Sequence, residues 1–160
     1  MTTTLTAATL TVKHIESISL NGQDQGATNT LTIASIAEVY KRIVNIPTSE
    51  VEVISMGAAI ANIGPGKFVE GDVKYIRFTN KDDTNHISLI FKNEDNDEFL
   101  VILDKGQSFI YNGDLAGGVV NTFVAKDTSG VDPAAPADLT DVIALANTAA
   151  CDLEIFVACT

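Results

Sequence analysis

Residues 73–103 have the sequence VKYIRFTN-KDDTN-HISLIFK-NEDND-EFLVIL, in which three apolar runs are separated by two short polar segments. In the second and third runs every other residue is a large hydrophobic one, namely Ile87, Leu89 and Phe91, then Phe99, Val101 and Leu103. An apolar residue at every second position is typical of a strand that buries one face. The polar segments are rich in Asn and Asp, which favour tight turns. The stretch therefore predicts three strands joined by hairpin turns.

The first of these runs, residues 73–80, predicts a strand with two different faces. Strict alternation puts Ile76 and Phe78 on one face and Val73, Tyr75 and Arg77 on the other.

The same pattern of short strands and turns continues toward the C-terminus. Turn residues recur every 8 to 12 positions, a spacing that is typical of sandwiches and barrels. The sequence therefore predicts an all-β fold: one antiparallel, jelly-roll-like β-sandwich domain spanning residues 1–160. Its further predicted parts are strands at 107–111 and 119–125, a Pro/Ala loop at 126–138, and a last hairpin of 139–146 with 152–158 joined through 147–150.

The first third of the chain leaves two alternatives open. Residues 10–20 alternate as a strand before an Asn21-Gly22 turn, and Pro47 leads into another strand at 51–56. Residues 35–44 have helical spacing and a Ser-x-x-Glu capping box, but also a β-branched strand pattern. We favour the strand over one short helix. Residues 1–9 form either an extended arm that adds a strand to a neighbour or a frayed end.

Composition limits the partners. The net charge is −11, which disfavours nucleic acid and anionic membrane surfaces. No run of about 18 apolar residues is present, and the first residues lack the basic and apolar regions of a signal peptide. We expect no nucleic-acid partner, no membrane partner, and synthesis in a cytoplasm.

The two cysteines, Cys151 and Cys159, lie in one C-terminal run in which odd-numbered residues are apolar. As a strand, this run puts both thiols on its buried face about 26 Å apart, far beyond disulfide reach. We expect free, buried thiols that act as small hydrophobic side chains.

The sequence offers few residues for catalysis. There is no Gly-x-Ser-x-Gly motif, and neither His14 nor His86 has a second ligand at zinc spacing. Residues 61–68 end in Gly-Lys-Phe, but Ala61 and Phe68 replace the first Gly and the Ser/Thr of a phosphate-binding loop. We therefore predict no enzyme activity, no cofactor, and no catalytic, cofactor-binding or metal-binding residues.

Acidic turns provide the weaker chemical candidates. The segment 93–98 with Asp104 has the length of a calcium loop, but Glu98 stands where that loop needs Gly and a strand follows. A solvated turn is the preferred interpretation, with calcium binding as the alternative. Asp82-Asp83 lacks the aromatic cleft of a glycosidase, since the chain has no Trp and only three Tyr.

Three further segments are RIVNIPTSEVEVI at 42–54, DVKYIRFTN at 72–80 and LDKGQSFIYNGD at 103–114. They resemble small virion structural proteins of tailed bacteriophages, such as those that infect marine cyanobacteria, and the resemblance covers about residues 38–120. The resemblance implies a β-sandwich subunit present in many copies on the particle. It implies no catalytic residues.

Together these observations predict a non-enzymatic virion protein, assembled in the host cytoplasm. The first hypothesis is a homo-oligomeric capsid decoration or cement subunit that binds the major capsid protein on the outside of the head shell. One alternative is a structural protein of the tail, connector or fibre base, with tail proteins as partners. Another is a jelly-roll module that binds carbohydrate or a receptor, although only 6% of residues are aromatic.

Overall fold

A computed structural model of the chain describes residues 6–58, 65–112 and 138–160. These residues form β-strands joined by turns, with a single 3₁₀ turn at Glu70–Asp72 and no α-helix among them, which confirms the all-β prediction. The strands are β1 Ala8–Glu16, β2 Ser19–Leu20, β3 Gln23–Asp24, β4 Ala27–Ile36, β5 Glu38–Ile46, β6 Val51–Gly57, β7 Lys67–Val69, β8 Val73–Asn80, β9 Ile87–Asn93, β10 Glu98–Leu103, β11 Ser108–Tyr111, β12 Leu139–Ala146 and β13 Cys151–Cys159.

Two sheets pack face to face as a β-sandwich. The five-stranded sheet has the order β10-β9-β12-β6-β7, and the four-stranded sheet has the order β11-β8-β13-β5. Neighbouring strands are antiparallel except β6 and β7, which are parallel. The inward side chains of both sheets form one core, and the Phe78 and Phe91 rings meet across it at 5.8 Å. Burial of these alternating residues holds the two sheets together.

The predicted C-terminal hairpin is wrong. β12 pairs with β6 and β9 in the five-stranded sheet, whereas β13 pairs with β5 and β8 in the four-stranded sheet. Residues 147–150 therefore cross from one sheet to the other. Buried side chains of both strands, such as Val142 and Leu153, face the same core. Alternation predicted which face of β13 is buried, but it does not encode which strand lies beside β13.

The predicted faces of β8 are wrong at one residue. Val73 belongs to the main core with Ile76 and Phe78 instead of lying with Tyr75 on the outer face. The cause is a bulge, because Ala158 pairs with Tyr75 while the next residue, Cys159, pairs with Val73. One extra residue on β8 reverses the direction of every side chain beyond it.

The strand alternative for residues 35–44 is confirmed. Ser35 lies near the end of β4 with a left-handed φ of 62°, and β5 begins at Glu38. The register of β4 against β1 shifts here, so Ser35 occupies a bulge and does not cap a helix.

Buried asparagines stabilise the turns of the sandwich. The Asn80 side chain donates hydrogen bonds from Nδ2 to the carbonyl oxygens of Asn85 and Leu103, at 2.8 and 3.1 Å. Its Oδ1 accepts a hydrogen bond from the Asp82 amide at 2.9 Å. Asn93 closes the acidic turn in the same way, accepting the Asp97 amide at 2.8 Å. These residues connect turns to the core without leaving a buried polar atom unpaired.

Ala8–Ile36 form a separate two-stranded ribbon. β1 pairs with β4, and β2 pairs with β3 around the Asn21-Gly22 turn, where both residues have positive φ. Positive φ at both positions is the geometry of a tight hairpin turn and explains the Asn-Gly pair. The predicted strand at 10–20 is therefore two strands, interrupted at residues 17–18.

One end of this ribbon packs on the sandwich. The ribbon base is Leu10, Val12, Leu31, Ile33 and Ile36. These side chains contact the outer face of the four-stranded sheet at Tyr75, Ile110, Phe156 and Ala158.

Several predictions fall outside the described residues. These are residues 1–5 of the N-terminal arm, the strand at 119–125, and the loop at 126–138 apart from Asp138. Residues 8 and 9 begin β1, and Ala8 pairs with Ile36 within the chain's own ribbon.

Candidate assembly surfaces

The two histidines lie on different parts of the molecule. His14 is exposed on β1 in the ribbon, while His86 is half-buried just before β9 in the sandwich. His14 lines a cleft of about 220 Å³ between the ribbon and the four-stranded sheet. The other residues lining this cleft are Asn29, Thr30, Leu31, Tyr75, Ile110 and Asn112.

The acidic turns are built around backbone amides. Asp82 accepts hydrogen bonds from the amides of Thr84 and Asn85 at 2.8 and 2.6 Å, and these bonds hold the pKa of the Asp82 carboxyl below its usual value. Asp83 bonds the Thr84 hydroxyl at 2.8 Å. Within the described ranges, no group of three or more His, Cys, Asp or Glu residues is placed to share a metal ion. These carboxylates shape turns.

The segment compared with a phosphate-binding loop lies partly in the described residues. Pro65 and Gly66 form a turn, and Lys67 begins β7. The Phe68 ring is buried and meets the Tyr40 ring edge-on at 5.4 Å. Phe68 therefore closes one side of the core.

Both cysteines are free and buried, which confirms the prediction. Burial raises the pKa of the Cys159 thiol to about 12, and the Glu38 and Asp72 carboxylates add to the effect. Burial likewise raises the pKa of Cys151. At neutral pH both side chains are protonated and behave as small hydrophobic groups.

The ribbon tip, residues 13–30, is the most exposed part of the described chain. Every residue in this range is exposed. Three of them are large aliphatic residues: Ile15, Ile18 and Leu20 are 70%, 54% and 60% exposed. The Gln25 amide donates to the Ile18 carbonyl at 2.9 Å, and the Gly26 amide donates to Asp24 Oδ1 at the same distance. The tip therefore keeps a defined hairpin shape while presenting apolar side chains to water.

The outer face of the five-stranded sheet is a second apolar surface. Leu100 and Ile102 on β10 are 54% and 59% exposed. Leu100 pairs with the half-buried Ile90, which in turn pairs with Ile143. These residues alternate with core residues, so they form an aliphatic row that faces away from the core.

The outer face of the four-stranded sheet is polar beyond the ribbon base. Arg77 donates to Glu154 at 2.6 Å and to Thr79 at 2.5 Å, and Lys41 lies 3.6 Å from Glu154. Hydrogen bonding from Arg77 holds the pKa of Glu154 below its usual value. The Arg77 guanidinium also lies 5.9 Å from the centre of the Phe156 ring. This charged row joins β8, β13 and β5.

The sequence predicts the first half of the ribbon but not the second. The predicted strand at 10–20 covers most of β1 and all of β2, whereas no strand was predicted at β4, although its Leu31 and Ile33 also alternate with polar residues. The Asn21-Gly22 pair identified the turn at the end of the ribbon. That Ile15, Ile18 and Leu20 are all exposed on the tip follows only from how far the ribbon extends beyond its base.

Comparisons with known proteins identify no relative: no protein-family model matches the chain, and no curated protein matches it. Among the described residues there is no helix with the length and apolar character that a membrane span requires. The function therefore has to be inferred from the surfaces of the chain itself.

Proposed function

We propose that this chain is a structural subunit of a tailed-phage virion that binds the outside of the head shell as a decoration subunit. The observation that carries the proposal is the ribbon tip, in which every residue from 13 to 30 is exposed and three are large aliphatic residues. An exposed apolar group on a shaped projection is typical of a protein–protein contact.

Energetics favour a bound state for the tip. A two-stranded hairpin is marginally stable on its own, and this one buries apolar side chains only at its base. Complete burial of Ile15, Ile18 and Leu20 against a partner would contribute about 3–5 kcal/mol. Such a contribution changes a dissociation constant by at least about a hundredfold.

The net charge supports a position on the outside of a shell. The chain carries 21 acidic and 10 basic residues, so packaged DNA repels it. A basic contact surface on the partner complements this charge, and an apolar one complements the aliphatic residues of the tip. The major capsid protein on the outer shell surface is therefore the partner we propose.

The resemblance to virion proteins concerns the sandwich. Its three segments lie in β5–β6, β8 and β11, whereas the ribbon lies before them in the chain. We infer a common type of scaffold with a ribbon that determines the binding site. Binding only to the assembled shell would stabilise that shell by mass action.

Co-sedimentation tests the proposal. The purified chain is mixed with head shells assembled without it and, separately, with isolated tails. We expect saturable binding to shells and none to tails. Binding to tails alone would indicate a tail protein and contradict the decoration role. Binding to neither shells nor tails would contradict both the decoration role and the tail role.

A further inference from the structure

Among the described strands, β5 is an outer strand of the sandwich with one unpaired side. Its nine residues pair with β13 along their whole length, and no other described strand pairs with β5. The backbone N–H and C=O groups on its far side point outward from the sheet. An open edge of this length is a template for another strand.

The side chains of β5 favour such pairing. Val39 and Ile43 are 53% and 56% exposed, and Lys41 already lies 3.6 Å from Glu154 on β13. Glu38 and Arg42 are also exposed, and within the described part of the chain neither forms a salt bridge. One acidic and one basic side chain, four residues apart, are therefore free to pair outside the chain.

The sequence of β5 selects a second copy of itself in one register. In a symmetric antiparallel pair, the register that sets Tyr40 opposite itself also sets Glu38 of each copy opposite Arg42 of the partner subunit. Centring the pair on Lys41 or Arg42 instead places like charges directly opposite each other, and centring it on Val39 or Ile43 places no two charged residues opposite each other. Opposite charges at facing positions stabilise an antiparallel pair, and like charges destabilise it.

We propose that a second copy of this chain pairs antiparallel with the edge of β5, with Tyr40 on the two-fold axis and two Glu38–Arg42 ion pairs beside it. The four-stranded sheets of the two copies join into one continuous sheet. Because the two-fold axis is perpendicular to the joined sheet, the outer faces of the two four-stranded sheets lie on the same side of it.

The pairing has a consequence for the ribbons. Each ribbon base packs on an outer face, so the dimer presents two ribbons on one side. Two linked binding elements increase avidity for any surface that repeats. The dimer itself does not depend on the proposed role in a virion, because it rests on β5 alone.

Sedimentation of the full chain over a concentration series at physiological salt tests the dimer. At that salt, screening reduces the repulsion between two chains of charge −11. We expect a species of twice the 16.9 kDa chain mass. R42E or E38R alone places like charges opposite each other twice and should raise the dimer dissociation constant by about a hundredfold.

The charge-swapped double variant E38R/R42E is the decisive comparison. It restores opposite charges in the same register, so we expect dimerisation close to the wild-type value. Lys105→Glu, which makes the same charge change as R42E in an exposed turn, is the control and should leave dimerisation unchanged. Circular dichroism verifies the fold of each variant.

Three results would overturn the proposal. The wild-type chain could remain monomeric throughout the series. R42E could dimerise as well as wild type. The double variant could fail to recover dimerisation while its fold is intact. Each result is independent of shell binding, so the dimer and the decoration role can fail separately.

Discussion

Asn80 is the buried polar side chain on which several turns depend. It is 0% exposed and makes three hydrogen bonds, to Asn85, Leu103 and Asp82. We expect Asn80→Ala to lower the free energy of unfolding by about 3 kcal/mol, because it removes these bonds and leaves the buried Leu103 carbonyl with one partner fewer. Urea denaturation measures the change.

Asn45→Ala is the control for that substitution. Asn45 is exposed, and within the described residues its side chain bonds only the Asp152 carboxylate, at 3.0 Å. We expect a loss below about 1 kcal/mol. A loss at Asn80 no larger than the loss at Asn45 would contradict the role given to the buried network.

Because the pKa of the buried Cys159 thiol is raised, the free energy of unfolding should fall at high pH. Its pKa is raised from 9.0 to about 12 in the folded chain, chiefly by burial. Below pH 9 both states keep the thiol proton. Between pH 9 and 12 only the unfolded chain loses it, so this group reduces the free energy of unfolding by up to about 1.4 kcal/mol per pH unit.

Comparison with Cys159→Ala isolates this effect from other groups that titrate at high pH. We expect the variant to be less stable than wild type at pH 7 but to lose stability less steeply above pH 9. The stability difference therefore narrows as the pH rises in urea denaturation. Parallel pH profiles would mean that the Cys159 thiol is not shielded from water.

At the scale of elements, the ribbon divides into a base that stabilises the fold and a tip that does not. We expect the triple substitution of Ile15, Ile18 and Leu20 to Thr to change the free energy of unfolding by less than about 0.5 kcal/mol per site, since these side chains are exposed. Ile33→Ala at the base should cost about 2–4 kcal/mol.

Thermal or urea unfolding of both variants tests this division. Thr keeps the β-propensity of the tip, so the comparison reports on burial and not on strand formation. A triple variant as unstable as Ile33→Ala would show that the tip packs against its own chain.

The elements also show what could be predicted from sequence. β9 and β10 were predictable because each buries alternate residues under a period-two pattern. The pairing of β12 and β13 was not, because a hairpin and a crossing between sheets bury the same residues. The bulge opposite Cys159 could not be predicted from the sequence either, since a bulge depends on the partner strand. The candidate surface was not predictable because exposure is a property of the packed molecule.

At the scale of the whole molecule, shape and charge together favour assembly. The described sandwich carries a ribbon, an aliphatic outer row and an edge strand, and these are three different surfaces. The net charge of −11 keeps copies apart until a specific contact outweighs the repulsion. Binding through the ribbon tip and through the β5 edge is therefore expected to be specific in register and orientation.

A binding titration of head shells with wild type and with the triple Thr variant tests most directly whether the ribbon tip binds a shell. We expect wild type to saturate the shells and the variant, equally stable, to bind at least about a hundredfold more weakly. Leu100→Ser/Ile102→Ser, which removes exposed aliphatic residues elsewhere, should bind like wild type. Equal binding by wild type and the tip variant, or no binding by wild type, would contradict the account.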